Sequence, residues 1–278
     1  MKNFLSSISL AFFVYSSGLQ ANTDSLPAYA LEFSQVRQIH SEANNKDYEL
    51  YIRLPNTYAN TKTNYPLIII NDIKYAFPIV SGMMHLMGGV DIQEAIIVGI
   101  SYSKGDNGDL SRRRDYTPTA MADRPGSGHA KEYMQFIGQQ IIPEIKKHYR
   151  VDDKNKVFVG HSYGGLLGAY ILTHQPELFD HYVLGSPSLW YDDQVMFKME
   201  ADYAKQHKDM KANVAFFVGS NENNIRPMVD DLLAFEIQVR SRQYPNLNIT
   251  VEVLQGETHY SVFPALLSKG LIKVIPKK

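Results

Sequence analysis

The chain has no cysteine in its 278 residues. That absence excludes a thiol nucleophile, a disulfide framework, zinc–thiolate sites and a lipoprotein anchor. An excess of either charge is also missing. The formal net charge is -1, so bulk electrostatics gives no reason to expect a nucleic-acid partner. There is no internal repeat and no low-complexity linker. No apolar run is long enough to make a comfortable membrane span. Tryptophan occurs once, at Trp190. What is present is an ordinary globular composition, 44% hydrophobic and 21% charged. The length suits one large α/β domain with a substantial core.

The first residues read as a leader. Lys2 gives a positive start, Phe4 to Tyr15 is apolar, and Ser16-Ser17-Gly18-Leu19-Gln20-Ala21 is small and polar. A signal peptide has these parts in this order. The reading is therefore a signal peptide over 1–21 and a single domain over 22–278, with no membrane anchor. Leu19 is large for its place, so the cleavage point stays open. The mature protein is expected to be exported, to the periplasm if the host is Gram-negative and otherwise to the medium.

After the leader, Ser34–His40 and Tyr48–Leu54 alternate apolar and polar residues, as an antiparallel edge pair does. The texture then changes. Pro66–Ile70, Ala95–Ile100, Val157–Val159, Tyr182–Leu184 and Val214–Val218 are short continuous apolar runs, the signature of parallel strands buried on both faces. Ile249–Leu254 makes a last strand, nearer the edge. Helical spacing lies between them, clearest over Glu132–Tyr149 and Pro227–Arg240. Strands alternating with helices predict a mostly parallel sheet flanked by helices on both faces, with ligands at the carboxyl ends of the strands.

Gly160-His161-Ser162-Tyr163-Gly164-Gly165 stands at such an end, between an apolar strand and a helical segment. Strand, tight turn, serine and helix form the setting of a nucleophile elbow. Gly160 and Gly164 are expected to be small because neighbouring chain passes close. A serine hydroxyl needs a base. His259 follows the last strand, where an α/β-hydrolase carries its histidine. His161, next to the serine, reads as a packing residue whose ring points away from the hydroxyl. The acid should follow the strand Val214–Val218, and Glu222 in Gly219-Ser220-Asn221-Glu222 is the candidate. Asp230 and Asp231 compete, but they look like solvent-facing helix positions. The oxyanion donors would be the N–H of Tyr163 and one from Ile73 or Lys74, after the strand Leu67–Ile70.

These residues together resemble the esterase D-like, "putative esterase" branch of the α/β-hydrolases. The resemblance is closest to predicted hydrolases that include enterobactin- and bacillibactin-type siderophore esterases. It is carried by the elbow, by Ser111-Arg112-Arg113-Arg114-Asp115-Tyr116-Thr117-Pro118, by Gly185-Ser186-Pro187-Ser188-Leu189-Trp190-Tyr191 and by Val218–Glu222. It extends from about Val36 to the C-terminus. It implies the α/β-hydrolase fold and a serine esterase that needs no metal or organic cofactor and acts on a small-molecule ester. Two departures stand out. Asp72 is followed by Ile73 where relatives commonly have glycine, and His259 is followed by the bulky Tyr260. Arg112, Arg113 and Arg114, with Trp190 and Tyr191, are the expected substrate-binding set for an anionic aromatic ester. An acyltransferase with the same triad and a catalytically silent binding protein are the alternatives.

Overall fold

Isoleucine, valine and phenylalanine supply the central strands, because β-branched and aromatic side chains suit a pleated surface covered on both sides. In the computed structural model, which describes residues 29–224 and 226–277, the strands are β1 (Ser34–Ser41), β2 (Lys46–Arg53), β3 (Tyr65–Ile70), β4 (Ile96–Ile100), β5 (Val151–His161), β6 (His181–Gly185), β7 (Ala212–Gly219) and β8 (Leu247–Leu254). Every residue of β3 and β4 is buried. The leader expected at 1–21 lies outside the described residues.

The strands form one sheet in the order β1-β2-β4-β3-β5-β6-β7-β8. β1 and β2 are antiparallel, β2 joins β4 antiparallel, and all later pairings are parallel. This is an α/β-hydrolase fold. The chain runs from β3 out to β4, then crosses back to β5 on the other side of β3. The loops leaving β3 and β5 therefore diverge and open a crevice at the carboxyl edge of the sheet. Ile70 pairs with Val159, so the segment after β3 and the elbow after β5 start side by side.

Two apolar layers enclose the sheet. One carries Tyr48, Tyr133, Phe158, Leu184 and Phe216, the other Ile68, Val80, Val159, Phe217 and Leu266. The helices over them are α1 (Ile73–Met87), α2 (Gly108–Tyr116), α3 (Ala130–Phe136), α4 (Ile142–His148), α5 (Tyr163–His174), α6 (Tyr191–Gln206), α7 (Met228–Ser241) and α8 (Val262–Val274). The helix expected over Glu132–Tyr149 is divided by a π-helical turn at Ile137–Ile141. Pro143 lies just beyond it and cannot donate to the carbonyl four residues back, and a wider turn accommodates that missing bond.

The arginine run lies in a helix, not in a solvated loop. Asn107 starts α2 by accepting from Leu110 N–H at 2.8 Å, and the helix buries Ser111, Asp115 and Tyr116. With so few apolar residues its inner face is polar, and periodicity in hydrophobicity does not reveal it.

Candidate active site

The elbow forms because β5 runs directly into α5 through Ser162, whose backbone stands at φ 60, ψ -119. A non-glycine residue there costs energy, and three bonds hold it. Ser162 N–H donates to Gly185 C=O at 2.9 Å, and Ser162 C=O accepts from Leu166 N–H at 2.9 Å and Ser188 N–H at 3.2 Å. The expectation about flanking glycines is half right. A Cβ on Gly160 would lie 2.1 Å from Gly164 O, but one on Gly164 would meet nothing nearer than 3.8 Å. The second tight position is Gly165, where a Cβ would approach Gly185 O to 2.8 Å.

His259 and Glu222 come together from the loops after β8 and β7. His259 Nδ1–H donates to Glu222 Oε2 at 2.7 Å. Glu222 Oε1 accepts from Gly219 N–H and Ser186 O–H, both at 2.7 Å. Both oxygens of this buried carboxylate are therefore satisfied, and one is aimed at the imidazole. Ser186 is the residue the sequence reading missed. It lay inside a quoted motif, but only the sheet shows that the turn after β6 meets the turn after β7. Asp231 is not solvent-facing. It is buried, and its Oδ1 accepts from Gln194 at 2.7 Å, whereas Asp230 is exposed.

His161 packs its ring 4.7 Å from that of His259, centroid to centroid. Tyr75 O–H donates to Asp72 Oδ2 at 3.1 Å, and His161 Nδ1 lies 3.4 Å from the same hydroxyl. Nε2 is buried on the other side of the ring. Burial, reinforced by the neighbouring His259, pushes the His161 pKa down to about 3. The ring stays neutral at working pH.

Ile73 and Lys74 open α1, where first-turn N–H groups have no partner within the helix. Tyr163 N–H opens α5 in the same way. The left-handed residue is Asp72 (φ 58, ψ 46), not Ile73, and the Ile73 side chain turns inward over Gly99. The β-branched residue after Asp72 is thus accommodated by a glycine on β4.

Two cavities meet at Ser162, His259 and Tyr260. One, of about 540 Å³, is bounded by Tyr75, Tyr102, Arg112, His161 and Phe263. The other, of about 530 Å³, is bounded by Ser188, Trp190, Arg226 and Met228. A family model described as Putative esterase matches residues 41–274.

The chain belongs to this family.

It is a serine hydrolase acting on ester bonds. Ferri-bacillibactin esterase BesA of Bacillus subtilis is 28% identical over 262 residues, 88% of this chain and 90% of that protein. The siderophore triacetylfusarinine C esterase of Aspergillus fumigatus is 29% identical over 67% of this chain and 71% of its own. Among solved structures, an IroE-like serine hydrolase from Shewanella oneidensis superposes with a TM-score of 0.76 at 25% identity, covering 86% of this chain and 79% of that one.

Within this putative esterase the expected substrate-binding set divides. Trp190 lines the second cavity. Tyr191 does not face substrate. It is fully buried, and its hydroxyl donates to Thr119 C=O at 2.8 Å. Arg114 is built into the scaffold, 2.5 Å from Asp106 and 2.9 Å from Asp115. The Ser103 hydroxyl, which donates to Asp106, and then the Arg114 cation bring the Asp106 pKa down to about 2. Arg113 pairs with Asp109 at 3.4 Å. Arg112 borders the first cavity but is bound to Asp72. The cations beside the aromatic cleft are others: Arg226 lies 4.7 Å and Arg124 5.4 Å from the Trp190 ring, and Arg124 also donates to the Tyr163 hydroxyl at 2.7 Å. Sequence distance hid them, because neither belongs to a run. Among the described residues no group of histidines and carboxylates has metal-site geometry, and no helix is long and apolar enough to cross a membrane.

Proposed function

We propose that this esterase works through an acyl-enzyme on Ser162, and that its substrate is an anionic ester of the siderophore class that carries aromatic groups. Ser162 Oγ attacks the ester carbonyl and gives its proton to His259 Nε2. The tetrahedral oxyanion is held by Tyr163 N–H and by Ile73 or Lys74 N–H. The intermediate collapses, the C–O bond of the ester breaks, and the imidazolium returns the proton to the leaving oxygen. Water then gives a proton to His259, attacks the acyl carbon and releases the acid, and the proton goes back to Ser162. Glu222 keeps the proton of His259 on Nδ1 and stabilises the imidazolium. Ser162, His259, water and the leaving oxygen account for every proton transferred in the cycle.

The observation that carries the reading is the buried, doubly satisfied Glu222 bonded to His259 at 2.7 Å, beside a serine on a strained elbow. The substrate class is supported by Trp190 and Arg226 in the second cavity, with Arg124 beside the same ring, where a catecholate ring finds both an aromatic face and positive charge. The siderophore esterases among its relatives support it too. The leader read over 1–21 supports export. The test is direct. Wild type should be labelled by a fluorophosphonate and should open a ferric catecholate trilactone, and Ser162→Ala should do neither. Labelling without trilactone hydrolysis would leave a serine esterase of another substrate class. Absence of labelling would favour a silent binding protein.

A further inference from the structure

Tyr191 starts α6, yet the three residues after it do not have right-handed helical backbone. Asp192, Asp193 and Gln194 stand at φ 45, 48 and 59, with ψ 64, 45 and 39. One left-handed residue with a Cβ is uncommon, and three in succession are costly. The turn persists because its two ends are tied to different parts of the fold. Asp192 Oδ2 accepts from the Thr119 hydroxyl. Gln194 Nε2 donates to Asp231 Oδ1 on α7 at 2.7 Å. Tyr191, fully buried, donates its hydroxyl to the Thr119 carbonyl at 2.8 Å. Thr119 is therefore held twice, through its carbonyl and through its side chain.

Thr119 belongs to the connection between α2 and α3, and so does Arg124. That connection closes on itself. Met121 N–H donates to Ser127 Oγ at 2.9 Å, Arg124 N–H to Met121 C=O at 3.0 Å and Gly128 N–H to Thr117 Oγ1 at 2.8 Å. A Cβ on Gly128 would stand 2.7 Å from the Thr119 carbonyl carbon, so the two limbs of the loop are in contact. What fixes Thr119 thus fixes Arg124, whose guanidinium lies 5.4 Å from the Trp190 ring. Asp192 stands two residues after Trp190. One contact joins the turn that carries the indole to the loop that carries the cation.

We infer that Thr119 and Asp192 are positioning residues for the second cavity. The bond between them sets Arg124 against Trp190, and the left-handed turn is the backbone geometry that brings the Asp192 carboxylate to Thr119. Neither residue borders the cavity. Both act through the indole and the cation beside it. The inference rests on the reading of this cavity as the place of the substrate's aromatic group.

Trp190 is the only tryptophan, so its emission reports the contact without a substrate. Thr119→Val removes the donor and keeps the shape. Acrylamide should quench the emission of Thr119→Val more efficiently than that of wild type, and Thr119→Ser, which keeps the hydroxyl, should restore the wild-type value. With a ferric catecholate trilactone, Thr119→Val should raise KM by about two- to tenfold, the range one lost hydrogen bond supplies, and leave kcat per titrated site within about twofold. A role confined to folding would change the titrated fraction of active sites, but neither the quenching of the folded protein nor KM. If Thr119→Val does not fold, Asp192→Asn, which weakens the same bond and suits a left-handed residue, is read in the same way. Unchanged quenching would overturn the inference. So would an unchanged KM in Thr119→Val when Arg226→Gln, in the cavity wall, raises it. An unchanged KM in both variants would overturn the reading of the cavity instead, with the quenching still deciding the contact.

Discussion

His161 makes the folded state sensitive to acid in a way that can be isolated. Its ring is buried against His259 and Phe263, and burial lowers its pKa to about 3, with the neighbouring His259 adding to the effect. In the unfolded chain an imidazole titrates near 6.5. The folded pKa is depressed, so the contribution is intact above the unfolded value. As pH falls below about 6.5, the unfolded chain binds a proton that the folded ring refuses, and stability declines until the folded pKa is reached. Between pH 7.5 and 5.0 the loss from this one group is about 2 kcal/mol. For a chain of this size that is a fall of about 4–8 °C in Tm. His174 and His181 also have pKa values lowered by burial and add losses of the same sign. The measurement is therefore a difference. Denaturant or thermal unfolding at the two pH values is compared for wild type and His161→Gln, and the variant should lose about 2 kcal/mol less. Equal losses in the two proteins would refute the claim that His161 stays neutral in the fold. The lowered pKa also bears on catalysis, because it makes His161 a poor base beside His259.

Further outcomes follow from the same contacts. Ser162→Ala should fold normally and lose roughly four to six orders of magnitude in kcat, measured on a p-nitrophenyl ester. Glu222→Gln should lower kcat by about 10³- to 10⁴-fold and Ser186→Ala by about tenfold, while exposed Asp230→Asn should match wild type. Arg114→Gln strips the partner from buried Asp115 and should cost about 3–5 kcal/mol in denaturant unfolding. Gly165→Ala forces a Cβ to 2.8 Å from Gly185 O and should destabilise by about 1–3 kcal/mol, whereas Gly164→Ala should be tolerated. Arg226→Gln should raise KM for an anionic catecholate ester and leave a neutral p-nitrophenyl ester unaffected, and the difference should shrink at about 1 M salt.

The fold was legible because its strands are written in side chains that only a doubly covered sheet can hold. Each predicted strand is present, and β5 extends beyond Val157–Val159 to Val151–His161 because its outer residues are polar. The elbow, the late histidine and the acid loop could be read from chain order, since each stands at the carboxyl end of a strand. What could not be read was pairing across the crevice. Ser186 and Glu222 are 36 residues apart, Asp72 and Arg112 are 40, and nothing in either segment announces its partner.

That blindness explains why the arginine run was assigned to the substrate. In sequence, Arg112, Arg113 and Arg114 look alike, and the flanking Asp109 and Asp115 offset them only in part. In the structure each meets a different carboxylate: Asp72, Asp109 and Asp106 with Asp115. A helix sends successive side chains about 100° apart, so consecutive residues cannot share one ligand face. Once α2 is helical, one arginine faces the elbow, one pairs along the helix with Asp109 and one is held by Asp106 and Asp115. Charge for an anionic substrate must then come from residues distant in sequence that converge on one cleft, and Arg124 and Arg226 do so around Trp190. A run of consecutive like charges does not form a single surface on a helix. Recognising Asn107 as an N-cap is the step that would have separated the three.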